Sequence, residues 1–139
     1  MIRTFLDAGV LIAATRMTGA MGVKALALFN EAERVFVTSD FVRLEVLPKA
    51  IYYKRQAEVA FYERFFARAA HLVRYSEPLM RQAYTEACTT GLAALDALHI
   101  VAARAGGATE FITTERSTSP LFRVSGLTIT TLDLSLIHI

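Results

Sequence analysis

The chain has 139 residues, of which 54% are hydrophobic, with a formal net charge of +2. That length suits one domain with a real core, and that hydrophobicity excludes a disordered chain. No apolar run reaches the roughly 18 to 20 residues of a membrane span, and Asp7 inside the apolar N-terminal stretch argues against an export signal. The lone Cys88 cannot form an internal disulfide, so a reducing, cytoplasmic setting is expected; in "YTEACTTG" it reads as a small packing residue. The charge is uneven. Between Arg43 and Arg74 stand seven Lys or Arg and three Glu, a local excess of four positive charges. Such a segment points weakly to a polyanionic partner, and equally to an ordinary solvated helix face.

In chain order, "IRTFL" is a β-rich run ending at Asp7, and "AGVLIAATR" reads as a turn into a short helix. "GAMGVKALALFNEAER" has the spacing of an amphipathic helix. "VFVT" is a second strand. Ser39 and Asp40 are good capping residues for a helix that runs to Pro48. A long amphipathic helix, "KAIYYKRQAEVAFYERFFARAA", follows, then a third strand, "HLVRY". Two more helices come next, "EPLMRQAYTEACTT" and "LAALDALHIVAARA", the second ended by Gly106 and Gly107. "TEFITT" and "LTITTL" are the fourth and fifth strands. Strands separated by helices favour a parallel sheet covered on both faces. The tail "SLIHI" has two readings, an extension of the last strand or an appended end.

Four acids stand out against this frame. Ligands of open parallel sheets gather at the carboxyl ends of the strands. Asp7 ends the first strand and Glu115 follows the fourth, so the two meet if those strands are neighbours. Glu45 lies in the helix after strand two. Asp96 is the least ordinary: it is the only charge between Glu86 and Arg104, about two turns into a helix that is apolar nearly all round. A buried carboxylate is costly unless it is paired or binds metal, and no Lys or Arg lies one turn away. Four converging carboxylates either raise their pKa values or hold a divalent cation, and an all-oxygen set suits Mg²⁺ or Mn²⁺. Such ions support in-line attack on a phosphodiester.

"TFLDAGVLIAA", "TSDFVRLEVLP", "LAALDALHIVAA" and "FITTERSTSPLFRV", in this order and spacing, resemble the PIN-domain family of metal-dependent nucleases, and especially its VapC-type ribonuclease toxins. The resemblance implies a three-layer α/β/α fold around a central parallel sheet of about five strands. It covers residues 1–139 as one domain, with the tail from about 133 unassigned. It implies RNA hydrolysis at an acidic Mg²⁺ or Mn²⁺ site formed by Asp7, Glu45 and Asp96, with Glu115 as the fourth, more variable acid. It implies a small antitoxin partner and a homodimer.

One position departs from the family pattern: Gly9 stands where a side chain of Asn, Ser or Thr usually supports the site, which bears on rate rather than class. It leaves a second reading, an RNA- or protein-binding module of the same fold with weak or no nuclease activity. An aspartyl phosphatase would want a second Asp at position 9, and a dinucleotide fold a Gly-rich turn that "DAGVLI" lacks.

Lys49, Lys54 and Arg55, interleaved with Tyr52 and Tyr53, are candidate RNA contacts, with a plain helix surface or a dimer contact as the equal alternative. Tyr53, Phe61 and Phe65 are candidate interface residues. Thr113, Thr114, Ser117 and Thr118 have two readings: hydroxyls that orient a phosphate or a metal-bound water, or, the stronger reading, ordinary loop hydroxyls. His99, one turn beyond Asp96, invites a metal or base role, but the stronger reading is a packed histidine with a hydrogen bond of its own. Neither His71 nor His138 has a partner visible in the sequence.

Overall fold

The structure is a computed structural model that describes residues 1–17 and 19–133. The tail "SLIHI", and His138 with it, lies outside the described residues. Five strands, β1 (Ile2–Leu6), β2 (Arg34–Ser39), β3 (His71–Val73), β4 (Glu110–Thr113) and β5 (Thr128–Thr131), pair in the order β3-β2-β1-β4-β5. Every pairing is parallel. Six helices flank the sheet: α1 (Ala8–Arg16), α2 (Gly19–Ala27), α3 (Asp40–Tyr52), α4 (Gln56–Arg68), α5 (Glu77–Thr90) and α6 (Ala94–Ala105). This is the three-layer arrangement that alternating strands and helices predict. Among the described residues no single helix is long and apolar enough to cross a membrane.

Sheet order fixes where a ligand can sit. From β1 the chain winds outward through β2 to β3, and beyond β1 on the other side it continues as β4 and β5. The β1–β4 junction is therefore the switch point, where the connections leave on opposite faces and open a crevice beyond the strand ends. The junction is pinned by Leu6 opposite Ile112 and by the Asp7 amide donating to the Ile112 carbonyl at 3.0 Å. Beneath it lies the core. Phe5, Leu6, Phe111 and Ile112 are buried, and the Phe5 and Phe111 rings stack with centroids 5.3 Å apart.

Several local readings need correction. The helix after β2 does not stop at Pro48 but runs through it to Tyr52. Pro48 removes the hydrogen bond to the Leu44 carbonyl. Leu44 and Pro48 are both exposed, so water can take that carbonyl. The long helix expected over residues 49–70 is consequently two, broken at Tyr53–Arg55, where Lys54 adopts the left-handed conformation with φ 55°. The helix expected over 19–34 ends at Ala27 and tightens into a 3₁₀ turn, Leu28–Asn30. Cys88 does not pack inside; it is exposed on α5.

The aromatic residues of α4 also part company with the expectation. Phe65 is buried against Phe29, Phe36 and Phe66, and Phe61 packs edge-on to Phe29 with centroids 5.4 Å apart. These rings belong to the domain's own packing, and Tyr53 alone of the three interface candidates stands exposed.

Candidate active site

Four segments carry the acids: the end of β1, α3, α6 and the loop after β4. Asp7 ends β1 as the N-cap residue of α1, yet its side chain makes no cap hydrogen bond. Instead its Oδ2 accepts from the Thr113 hydroxyl at 2.9 Å. The same hydroxyl accepts from the Glu115 amide at 3.1 Å. Thr113 thus ties the end of β1 to the loop after β4. That loop is shaped further by Ser119, whose hydroxyl donates to Glu115 Oε1 at 3.2 Å and accepts from the Leu121 amide.

Glu45 stands one and a half turns into α3, whose start is capped by Ser39 Oγ accepting from the Val42 amide. The capping reading of Ser39 holds. The depth assigned to Asp96 does not. Helix α6 begins at Ala94, so Asp96 lies in its first turn rather than two turns in, and it is half-buried rather than enclosed. Ala93, the N-cap residue, makes no side-chain cap hydrogen bond. A carboxylate in the first turn is favoured by the helix dipole, which accounts for part of its presence in an apolar sequence.

His99 carries more than a packing role. It is 1% exposed, and its Nε2 lies 2.8 Å from Glu45 Oε1. A carboxylate can only accept, so Nε2 carries the proton. The pair joins α6 to α3 across the site. The expected hydrogen bond of His99 is present, but its partner is one of the four acids. The signal was its spacing: Asp96 and His99 stand three residues apart, on neighbouring positions of one helix face.

The acids influence one another. Asp7 has its pKa raised, chiefly by burial and in smaller part by Glu45; a charged His99 and the Thr113 hydrogen bond oppose this. Burial also raises Asp96, and the charges of Asp7 and Glu45 add to it, against His99. Glu115 is raised by burial, then by Asp96 and Asp7, against the Ser119 hydrogen bond. The structure therefore brings all four sequence-identified acids into one electrostatic neighbourhood.

Among the described residues, no three His, Cys, Asp or Glu side chains form a ready-made metal-binding group. The donor set still fits a hard divalent ion. Every donor is a carboxylate oxygen, and Mg²⁺ keeps several waters while binding one or two carboxylates plus a substrate phosphate.

The basic residues are less concentrated. Lys49 lies one turn beyond Glu45 on α3 and is exposed. Lys54 and Arg55 stand past the far end of that helix, where Arg55 contacts Glu58 at 3.6 Å and lies over the Tyr53 ring at 5.5 Å. Ser117 and Thr118 are exposed loop residues. Gly9 faces Thr114: a Cβ at position 9 would sit 2.3 Å from the Thr114 hydroxyl oxygen.

The family model of the PIN domain matches residues 4–119. The chain belongs to the PIN domain family. Solved structures agree on the fold of this PIN domain. The VapBC2 complex from Rickettsia felis, bound to a DNA fragment from its promoter, matches with a TM-score of 0.70 at 17% identity, covering 95% of this chain and 100% of that one. A toxin–antitoxin complex from Klebsiella pneumoniae matches at 0.68 and 16%, covering 94% and 98%. VapC20 of Mycobacterium tuberculosis, a sarcin-ricin loop cleaving toxin, matches at 0.64 and 18%, covering 78% and 86%. No curated protein sequence matches the chain.

The raised acids make stability depend on pH and metal in a definite direction. With folded-state pKa values of Asp7, Asp96 and Glu115 raised from their ordinary values, the folded PIN domain binds more protons than the unfolded chain between the two. The contribution of these groups to stability therefore falls as pH rises through that window, and it is least favourable at neutral pH without metal. At pH 7 without metal, Asp96→Asn is expected to melt at the wild-type temperature or above. Mn²⁺ is expected to stabilise the wild type, by about 2.7 kcal/mol at a free concentration of about 100 Kd, and the variant less. Thermal melts with and without Mn²⁺ check this; an equal response in both proteins would remove the shared site.

Proposed function

We propose that this PIN domain is a divalent-metal-dependent endoribonuclease and the toxin of a type II toxin–antitoxin pair. What supports the reading is the electrostatic coupling among Asp7, Glu45, Asp96 and Glu115, with burial and mutual repulsion raising three of them. In this reading Asp7, Asp96 and Glu115 hold Mg²⁺ or Mn²⁺, and Glu45 completes the acidic set while His99 fixes its position. A divalent cation there would polarise the phosphodiester and make a water a better nucleophile. Thr113 keeps Asp7 oriented, and Ser119 does the same for Glu115. Lys49, beside Glu45, is the best placed of the basic residues to meet an RNA backbone, with Lys54 and Arg55 further along the same path. A cytoplasmic site of action follows from the substrate class.

Support for an antitoxin comes from the neighbours solved as VapBC and toxin–antitoxin complexes. Self-association is the other part of the proposal. Leu44, Ile51, Tyr52 and Tyr53 are exposed at α3 and its end, an apolar surface in need of cover. Sedimentation at tens of micromolar is expected to show a dimer, and a monomer throughout would remove that part. The function itself is tested by incubating the protein with a mixed single-stranded RNA pool. Cleavage with Mg²⁺ or Mn²⁺ that stops with chelator is expected. Binding of RNA with no cleavage under either metal would favour a non-catalytic module of the same fold.

A further inference from the structure

Gly9 is the second residue of α1, and its φ is not positive. Glycine there gains nothing from its backbone freedom and is a poorer helix former than alanine. The reason for it lies across the β1–β4 junction. A Cβ on residue 9 would approach the Thr114 Oγ1 to 2.3 Å, with the Thr114 Cβ at 3.5 Å and Cγ2 at 3.6 Å. Real Cβ atoms essentially never come so close to an oxygen, so the hydroxyl occupies the volume that any side chain at position 9 would need. The Thr114 backbone cannot easily back away, so the hydroxyl gives way only by rotation of its own side chain. The residue follows Thr113, which is locked to β5 by pairing with Thr131 and to Asp7 by its hydroxyl. Among the described residues no protein group hydrogen-bonds the Thr114 hydroxyl, although the residue is half-buried. A hydroxyl carries one donor and two acceptor positions. It faces Gly9, two residues past Asp7, and follows Thr113, whose hydroxyl binds Asp7 and accepts from the Glu115 amide.

We propose that Thr114 is a positioning residue of the acidic site, and that Gly9 is the residue that admits it. Its hydroxyl orients a water or a phosphate oxygen held between Asp7 and Glu115. Gly9 and Thr114 act as one unit: the helix gives up a side chain so that the loop after β4 can supply a hydroxyl. The inference rests on the nuclease reading above and goes beyond it by assigning a role to two residues that contribute no charge.

The test compares wild type with Thr114→Val, Thr114→Ser, Thr114→Ala, Gly9→Ala and Gly9→Ala/Thr114→Ala. Mn²⁺ affinity is read by titration calorimetry, kcat and KM on single-stranded RNA, and folding by thermal melt. Thr114→Val keeps the shape and removes the hydroxyl; it is expected to lose about 10-fold or more in Mn²⁺ affinity or kcat, as removal of supporting hydrogen bonds around a metal site does. Thr114→Ser, which restores the hydroxyl, is expected to recover most of that loss. Gly9→Ala is expected to resemble Thr114→Val, because its methyl displaces the hydroxyl, and the double variant to lose no more than Thr114→Ala alone. A folded Thr114→Val with wild-type Mn²⁺ affinity and kcat overturns the inference, as does a double variant whose losses multiply. Those outcomes leave the nuclease reading standing. Wild-type protein that neither binds Mn²⁺ nor cleaves RNA removes both.

Discussion

Asp96→Asn is expected to lower metal-dependent cleavage of single-stranded RNA by about 10²-fold or more, on the order of 3 kcal/mol of transition-state stabilisation. The substitution keeps the size of the side chain and removes its charge. Asp96 sits in the first turn of α6, where the charge of Asp7 helps raise its pKa and its own charge helps raise that of Glu115. Removing the charge therefore reaches the centre of the acidic set. The fold should survive. The helix loses a favourable first-turn charge, about 0.3–1 kcal/mol at an exposed site, and is relieved of repulsion from its neighbours. His99→Ala works at one remove. It frees Glu45 from its 2.8 Å hydrogen bond and is expected to cost about 10-fold, as loss of a group supporting a metal site does. Comparing kcat for the three proteins on one RNA pool checks both. Equal cleavage by wild type and Asp96→Asn would end the metal reading of Asp96.

The largest effect on stability is expected at Phe5. Its ring is fully buried, stacks on Phe111 and lies 5.9 Å from the His99 ring. Phe5→Ala removes a buried ring and leaves a cavity under the β1–β4 junction, at a cost of about 3–5 kcal/mol. A typical domain has only about 5–15 kcal/mol of stability in all. The variant should therefore unfold at much lower denaturant, and any folded fraction should hold His99 and Asp7 less firmly. Equilibrium urea unfolding measures this, and a loss below about 1 kcal/mol would contradict the packing described.

The sheet was legible in the sequence because its strands are short, β-rich and separated by helices of clear period. The meeting of Asp7 with Glu115 depended on β1 and β4 being neighbours, which topology supplies and periodicity does not. Pro48 misled as a helix terminator because nothing in the sequence tells that Leu44 and Pro48 are exposed, where water can take the freed carbonyl. Asp96 read as deep in its helix because the apolar run begins at Leu92, two residues before the first helical turn at Ala94. The His99–Glu45 pair joins residues 54 positions apart, and no local pattern announces such a pairing. Phe65 shows the same limit from the other side: an aromatic-rich helix looks unpartnered until the 3₁₀ turn and β2 bring Phe29 and Phe36 to it.

The central claim is that Asp7, Asp96 and Glu115 share one cation, beside Glu45. Anomalous diffraction from a crystal soaked in Mn²⁺ tests it most directly. The account predicts a Mn²⁺ peak in the switch-point crevice, within reach of Asp7, Asp96 and Glu115, and no such peak in Asp96→Asn. Mn²⁺ that supports cleavage yet binds elsewhere, or an undiminished peak in the variant, would contradict it.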